Sequence, residues 1–353
     1  MSEFPNWVTS GPPKPDAAAE ARAQARQARL TKPAGSLGQL EDVAIQLASL
    51  SNTDRPSVAS PHILIFAGDH GITAEGVSAY PSEVTGQMLA NFVSGGAAIS
   101  VLAREQGAAL QVVDVGTLAH DVPDGIHADK IAHGTDNFRR SDAMTEEELF
   151  HALGAGRNAA ARAIGDGADL LLLGEMGIGN TSAASAVAAA LTDGNVAALA
   201  GAGTGLDAEG ISHKTRVIAE SLALHKLDAG SAGAAQALRK VGGHEIVALV
   251  GAAITAAQAR VPVLVDGFIC SAAMLAAVTA NPSIRPWLLF SHRSAESGHA
   301  RVLSALDADP LFDLGLRLGE GSGAALALPL LRLACSLHNE MATFDSAGVS
   351  SIT

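Results

Sequence analysis

Apolar positions along the chain fall into two kinds of pattern. Short runs are apolar at nearly every position: "HILIFAG" (62–68), "ALQVVDVG" (109–116), "DLLLLGEMG" (169–177), "AALAGAGTG" (197–205), "VPVLVDGF" (261–268) and "PWLLFSH" (286–292). Strands that are apolar on both faces belong to a parallel sheet covered by helices on both sides. The fourth run, mostly Ala and Gly, is the least β-like. Between the runs lie stretches with helical spacing, such as "SEVTGQMLANFVSGGAAISVLARE" and "TEEELFHALGAGRNAAARAIG". Such alternation predicts right-handed βαβ units and an α/β fold with a doubly wound parallel sheet of about six strands.

The two ends of the chain differ from its middle. Residues up to 58 carry helical signals and no convincing strand, with Asp16 placed to cap a solvated helix that bears Arg22, Arg26 and Arg29 on one face. "SNTDRPSVASP" (51–61) reads as a linker, and after Ser294 the chain is again helical. Neither end has enough apolar surface for a core of its own. The pattern therefore predicts a sheet domain over 59–293 and a small helical domain built from 1–58 plus 294–353. Ligands of open α/β sheets bind outside the carboxyl ends of the strands, and the second unit would roof that edge.

Composition narrows the function. A formal charge of −13, with scattered Lys and Arg, argues against a nucleic-acid partner. No apolar run reaches the roughly 20 residues of a membrane span, and the N-terminus lacks a basic region followed by an apolar one. Cys270 and Cys335 sit in apolar surroundings and read as buried free thiols. A cytoplasmic protein is the expectation.

The strand ends carry the candidate chemistry. Nearly every run exits into Gly plus one polar residue: Asp69 and His70, Glu175, Asp266, and the "SHRSAESGH" segment with His292 and His299. One such turn is ordinary, but several at one edge point to a site. "GIGNTS" (177–182) runs into an apolar helix whose free N–H groups and dipole suit a phosphate. Thr181 as a plain helix cap is an equal reading of that segment alone. "GAGTGLD" (201–207) repeats the theme, and Lys214 beyond it either balances a phosphate or lies on the surface. Glu320 in "LGEGSGAAL" stands between glycines before an apolar helix, as Glu175 stands before "MGIG". Two glutamates in such settings resemble paired acid–base machinery. The histidines near strand ends show no H-x-x-x-H spacing for a metal, and no G-x-S-x-G elbow offers a serine nucleophile.

Taken together, "TKPAGSLGQLE" (32–41), "AGDHGITAEGVSAYPSEVTGQM" (67–88), "GEMGIGNTS" (174–182), "DGFICSAAML" (266–275), "SHRSAESGHA" (291–300) and "LGEGSGAALALPLL" (319–331) resemble the nicotinate-nucleotide:dimethylbenzimidazole phosphoribosyltransferase family of cobalamin lower-ligand synthesis. The resemblance covers almost the whole chain and implies a Rossmann-like sheet, a small helical domain and a homodimer. It implies that 5,6-dimethylbenzimidazole is joined to nicotinate mononucleotide, giving nicotinate and α-ribazole 5′-phosphate without a cofactor or metal. By resemblance Glu320 is the general base and Glu175 assists; Tyr80, Met88 and Met176 line the base pocket. Gly177, Gly179, Asn180 and Thr181 would hold the phosphoribosyl group, with Gly203 and Lys214 near the phosphate and Ser294 on the nucleotide side. The chain departs from the family at His244, where an apolar or aromatic residue is expected, and at "SGH" (297–299), where Pro-Gly-His is usual. Two other classes stay open at this level. One is an NAD-dependent oxidoreductase using "GAGTGLD" as its turn; the other is a sensor that binds a nucleotide or aromatic base without turnover.

Overall fold

The computed structural model describes residues 4–228 and 232–350. Six strands form one sheet: β1 (Pro61–Gly68), β2 (Ala109–Gly116), β3 (His127–Ala128), β4 (Leu170–Met176), β5 (Val263–Val265) and β6 (Leu288–Phe290). All pairings are parallel and the order is 3-2-1-4-5-6. The order reverses between β1 and β4, and at such a switch point the neighbouring connections leave on opposite faces and open a crevice at the carboxyl edge.

Five of the six apolar runs form strands, and the run at 197–205 does not. Val196–Ala198 makes a single 3₁₀ turn, and the chain then runs as a loop to Asp207. Both sides of β4 are already occupied, by β1 and β5, and a run of Ala and Gly brings no branched side chain to stabilise a strand. "GAGTGLD" is therefore not the strand-to-helix turn that a dinucleotide fold requires. The sixth strand is β3, two exposed residues paired with Val113 and Asp114 at the sheet edge. It is too short to leave a periodic signal.

Strand alternation divides the core in two. Leu64, Phe66, Val113, Leu171, Leu173 and Val265 face helices Glu146–Gly165, Asn180–Leu191, His244–Gln258 and Phe268–Ala280. Ile63, Ile65, Val112, Leu170, Leu172 and Leu264 face Gln39–Ser51, Glu83–Ser94, Ala98–Gln106 and Ser322–Glu340. With aromatics at only 3% of residues, the first layer depends on close backbone approach rather than on large side chains. A Cβ on Gly156 would lie 1.9 Å from Ala248 O, and one on Gly251 would lie 2.1 Å from Leu153 O. Helices Glu146–Gly165 and His244–Gln258 cross at these two glycines.

The stretch 83–106 has the length and hydropathy of a membrane-crossing helix. It is two helices, broken at Gly95 (φ +81°), and Leu89, Phe92, Ile99 and Ala103 are buried against the sheet. At the chain ends, Asp16 caps helix Ala17–Gln27 by accepting from Ala19 N at 2.7 Å. Arg26 of that helix donates to the carbonyls of His338 (2.5 Å), Asn339 (3.0 Å) and Met341 (3.3 Å), where helix Ser322–Glu340 ends. Thr31 N donates to Ala342 O, and Phe344 N to Arg29 O. The two termini are thus joined by backbone and guanidinium hydrogen bonds.

Gly156→Ala should lower unfolding stability in urea by about 1–3 kcal/mol, because its methyl group meets backbone that cannot rotate away. Gly154→Ala is the control, since nothing lies within 4 Å of a Cβ there. It should be neutral or slightly stabilising.

Candidate active site

The switch point is lined by the exits of β1 and β4. Glu175 is the penultimate residue of β4, opposite Phe66 of β1. Past Met176 the chain turns through Gly177, Ile178 and Gly179 (φ +97°) into helix Asn180–Leu191. Asn180 Nδ2 donates to Glu175 Oε2, so the first helical residue holds the carboxylate at the strand end. Gly179 is the residue preceding the helix and no side chain caps it, so Thr181 is not a helix cap. Its Oγ1 instead accepts from Lys214 Nζ at 2.7 Å.

Lys214, on helix Ala208–His225, is fully buried and not a surface lysine. It also donates to Gly201 O at 3.3 Å. Burial lowers its pKa to about 8, against the pull of Glu296. A Cβ on Gly203 would lie 2.8 Å from Thr181 Oγ1 and 3.3 Å from Lys214 Nζ. The helix start, a hydroxyl and a desolvated ammonium therefore converge on one point, the chemistry of an anion seat.

Glu320 arrives from the other end of the chain. Gly319 (φ +86°), Glu320 (φ +60°) and Gly321 (φ +74°) form three successive left-handed residues that cross over β4. There the strand carries Gly174, whose Cβ would sit 2.5 Å from Gly321 N and 2.7 Å from Glu320 C. A left-handed glutamate costs about 1–2 kcal/mol, and such strain concentrates where a side chain must be aimed. The turn brings Glu320 beside Glu175: a Cβ on Gly319 would lie 2.5 Å from Glu175 Oε1. Burial, with Asp266 adding to it, raises Glu320 to about 7. Glu175 is pushed well above an ordinary glutamate by burial and then by Asp266, Glu245 and Glu320.

These groups share a cavity of about 440 Å³, in the range of small-molecule sites. Of the residues singled out from the sequence, Glu175, Glu320, Tyr80, Met88, Met176, Gly177, Asn180, Thr181, Gly203 and Ser294 line it. Gly179 and Lys214 stand behind the lining. Val84, Ile178, Phe268 and Leu318 add apolar wall, and Tyr80 is half exposed at the rim. Asp266, His292, Glu296 and Arg317 also line it and were not assigned to the site from sequence. The strand-end positions of Asp266 and His292, and the "SHRSAESGH" exit that contains Glu296, were usable signals; Arg317 stands in an irregular segment and gave none.

Asp69 and His70, at the end of β1, have partners of their own. Asp69 accepts from Leu118 N at 2.8 Å, and His70 Nε2 meets Glu245 Oε1 at 2.7 Å in a fully buried pair. Among the described residues no group of three or more His, Cys, Asp or Glu side chains is arranged to hold a metal ion. His244 is fully buried, and burial lowers its pKa, so the ring is neutral at neutral pH. It lies against Gly116, where a Cβ would come within 2.4 Å of Nδ1. At 297–299, Ser297 Oγ donates to Ala200 O at 3.2 Å, and Gly298 packs on Leu199.

A doubly wound sheet with two buried glutamates and a desolvated lysine at its switch point is an arrangement suited to a nucleotide-handling α/β enzyme. Residues 12–349 match the family model described as phosphoribosyltransferase. The nicotinate-nucleotide–dimethylbenzimidazole phosphoribosyltransferase of Pseudomonas fluorescens SBW25 is 60% identical over 337 residues, 95% of each chain. That of Bradyrhizobium sp. BTAi1 is 57% identical over 98% of this chain and 99% of its own. The crystal structure of the enzyme of that name from Thermus thermophilus aligns with a TM-score of 0.88 at 44% identity, covering 96% of this chain and 100% of that one. The chain belongs to this phosphoribosyltransferase family.

Gly319→Ala should cut transferase turnover at least about tenfold while the protein stays folded, because the new methyl collides with Glu175 and resists the left-handed turn. A steady-state assay beside a thermal melt separates the two effects.

Proposed function

We propose that this phosphoribosyltransferase joins 5,6-dimethylbenzimidazole to nicotinate mononucleotide, giving α-ribazole 5′-phosphate and nicotinate for the lower ligand of cobalamin. The observation that supports it best is the meeting of Glu175 and Glu320 in one cavity, from β4 and from a turn more than a hundred residues later. The relatives' names supply the two substrates, and the reading gives each of them part of the cavity lining. Thr181, Lys214 and the start of helix Asn180–Leu191 take the 5′-phosphate, with Ser294 and Gly203 beside it. Met88, Met176 and Tyr80 stack against the incoming ring.

The chemistry follows from charge. The pyridinium of nicotinate mononucleotide leaves as a neutral ring carrying the glycosidic electron pair, so it needs no acid. The anomeric carbon becomes cationic as that bond loosens, and a water-poor cavity lined by carboxylates stabilises it. One ring nitrogen of the benzimidazole forms the new C–N bond, and the proton on its other nitrogen passes to Glu320. A glutamate raised to about 7 suits that step, being partly ionised at neutral pH yet basic enough to hold the proton. Glu175, held by Asn180, orients the ring. No pyrophosphate leaves, so the step asks for no Mg²⁺.

The reading treats 59–293 as the nucleotide- and base-binding unit, and 1–58 with 294–353 as the helical unit that delivers Glu320. It also takes the protein to be a cytoplasmic homodimer, which sedimentation of the purified chain tests.

Nicotinate release from its mononucleotide, with and without dimethylbenzimidazole, is the deciding assay. Release that depends on the base supports the transferase, and no release on mixing both substrates refutes it. Glu320→Gln should lower kcat by about 10² or more with nucleotide affinity retained. Wild-type kcat should fall as pH drops below about 7, since the protonated glutamate cannot accept. Lys214→Met should weaken the mononucleotide by about tenfold or more and leave affinity for the free base unchanged.

A further inference from the structure

Asp266 leaves β5 directly under the turn that carries Glu320. Both of its carboxylate oxygens are committed to backbone: Oδ2 accepts from Gly321 N at 3.2 Å, and Oδ1 from Ala324 N at 2.9 Å. These amides open helix Ser322–Glu340, whose preceding residue, Gly321, has no side chain to cap it. The aspartate is 1% exposed where it borders the cavity, and each of its oxygens already accepts from a backbone amide. On the side of the helix start the space around it is closed. A Cβ on Gly323 would lie 2.9 Å from Asp266 Oδ1 and 2.1 Å from His292 Nδ1.

We propose that Asp266 is a positioning residue for the transfer reaction, clamping the left-handed turn that aims Glu320 and laying a fixed negative charge against it. The inference rests on Glu320 being the proton acceptor. A neutral cap would hold the same amides, so the turn by itself does not call for an acid. The charge is what a neutral cap lacks.

Titratable groups pack around that carboxylate. Glu175 faces Asp266 from β4, Glu320 from the turn, Cys270 from helix Phe268–Ala280, and His292 from the segment after β6 with Nδ1 at 3.9 Å. Burial lowers His292 more than Asp266 raises it, so the ring is neutral at neutral pH. Burial also pushes the Cys270 thiol well up, keeping it uncharged. Asp266 itself is raised by burial, while the amides of Ala324, Gly267 and Gly323 favour its ionised form. After burial, Asp266 is the next cause of the upward shift at both Glu175 and Glu320. An adjacent anion makes a carboxylate a stronger base.

The test is the pH profile of kcat in Asp266→Asn, compared with wild type and with Glu320→Gln. The expected result is an acid limb moved about one unit to lower pH and a plateau about tenfold lower. KM for nicotinate mononucleotide should stay within about threefold, because both Asp266 oxygens are already held by backbone amides. A loss of thermal stability with the acid limb unmoved would mean a structural cap only and would overturn the proposal. Gly321→Ala changes the turn without changing any charge: kcat should fall at least about tenfold with the acid limb in place. Full activity in Gly321→Ala would overturn the clamping role, even if Asp266→Asn does not fold. Normal turnover in Glu320→Gln would remove the base itself. Loss of turnover there, with no pH shift in Asp266→Asn, would remove only the role given to Asp266.

Discussion

The site depends on one close approach, that of the 319–321 turn to the end of β4. Gly174 is the only residue that fits in the strand there, since a Cβ would strike the backbone of Glu320 and Gly321. The contact lets a residue from the C-terminal part of the chain enter the crevice at the switch point of the sheet. It also buries several carboxylates together, and burial of like charges raises the proton affinity of each. The acid–base character of the cavity is therefore a consequence of packing, and not of any residue's intrinsic pKa.

The rest of the fold serves to make that edge rigid. Helix Ser322–Glu340 begins at the turn and packs Ala324, Ala325, Leu328 and Leu331 against the sheet, so the turn cannot lift without uncovering core. Its far end is closed by Arg26 from the N-terminal helix, which links the start of the chain to the segment that delivers Glu320. On the opposite face the glycine crossing of Glu146–Gly165 with His244–Gln258 places Glu245 beneath the crevice. There it pairs with His70, whose ring lies under Gly177 and whose Cβ lies under Gly179. A buried, hydrogen-bonded pair supports the glycine turn from below without facing the cavity.

The anion seat follows the same logic. A lysine with no exposure is costly unless its ammonium finds acceptors, and Lys214 finds Thr181 Oγ1 and Gly201 O. Its lowered pKa is the mark of that desolvation.

Much of this was legible in the chain itself. Runs apolar on both faces gave five strands of a covered parallel sheet, because burial on two sides removes polar alternation whatever the surroundings. Gly-polar exits at the strand ends marked the carboxyl edge, and the motif blocks carried the family. The run at 197–205 was misread because small residues fit a tight loop as well as a strand, and β3 was missed because two residues have no period. Tertiary structure alone decided which acids meet. Arg317 enters the cavity through the path of the backbone, not through a local pattern, and the strand-end positions of Asp266 and Glu296 did not say which groups they would meet. It also turned Lys214 inward, made His244 a neutral core ring and gave Glu320 its left-handed backbone. Sequence fixes what each segment prefers by itself; proximity and desolvation, which set the charge states in the cavity, exist only once distant segments have packed.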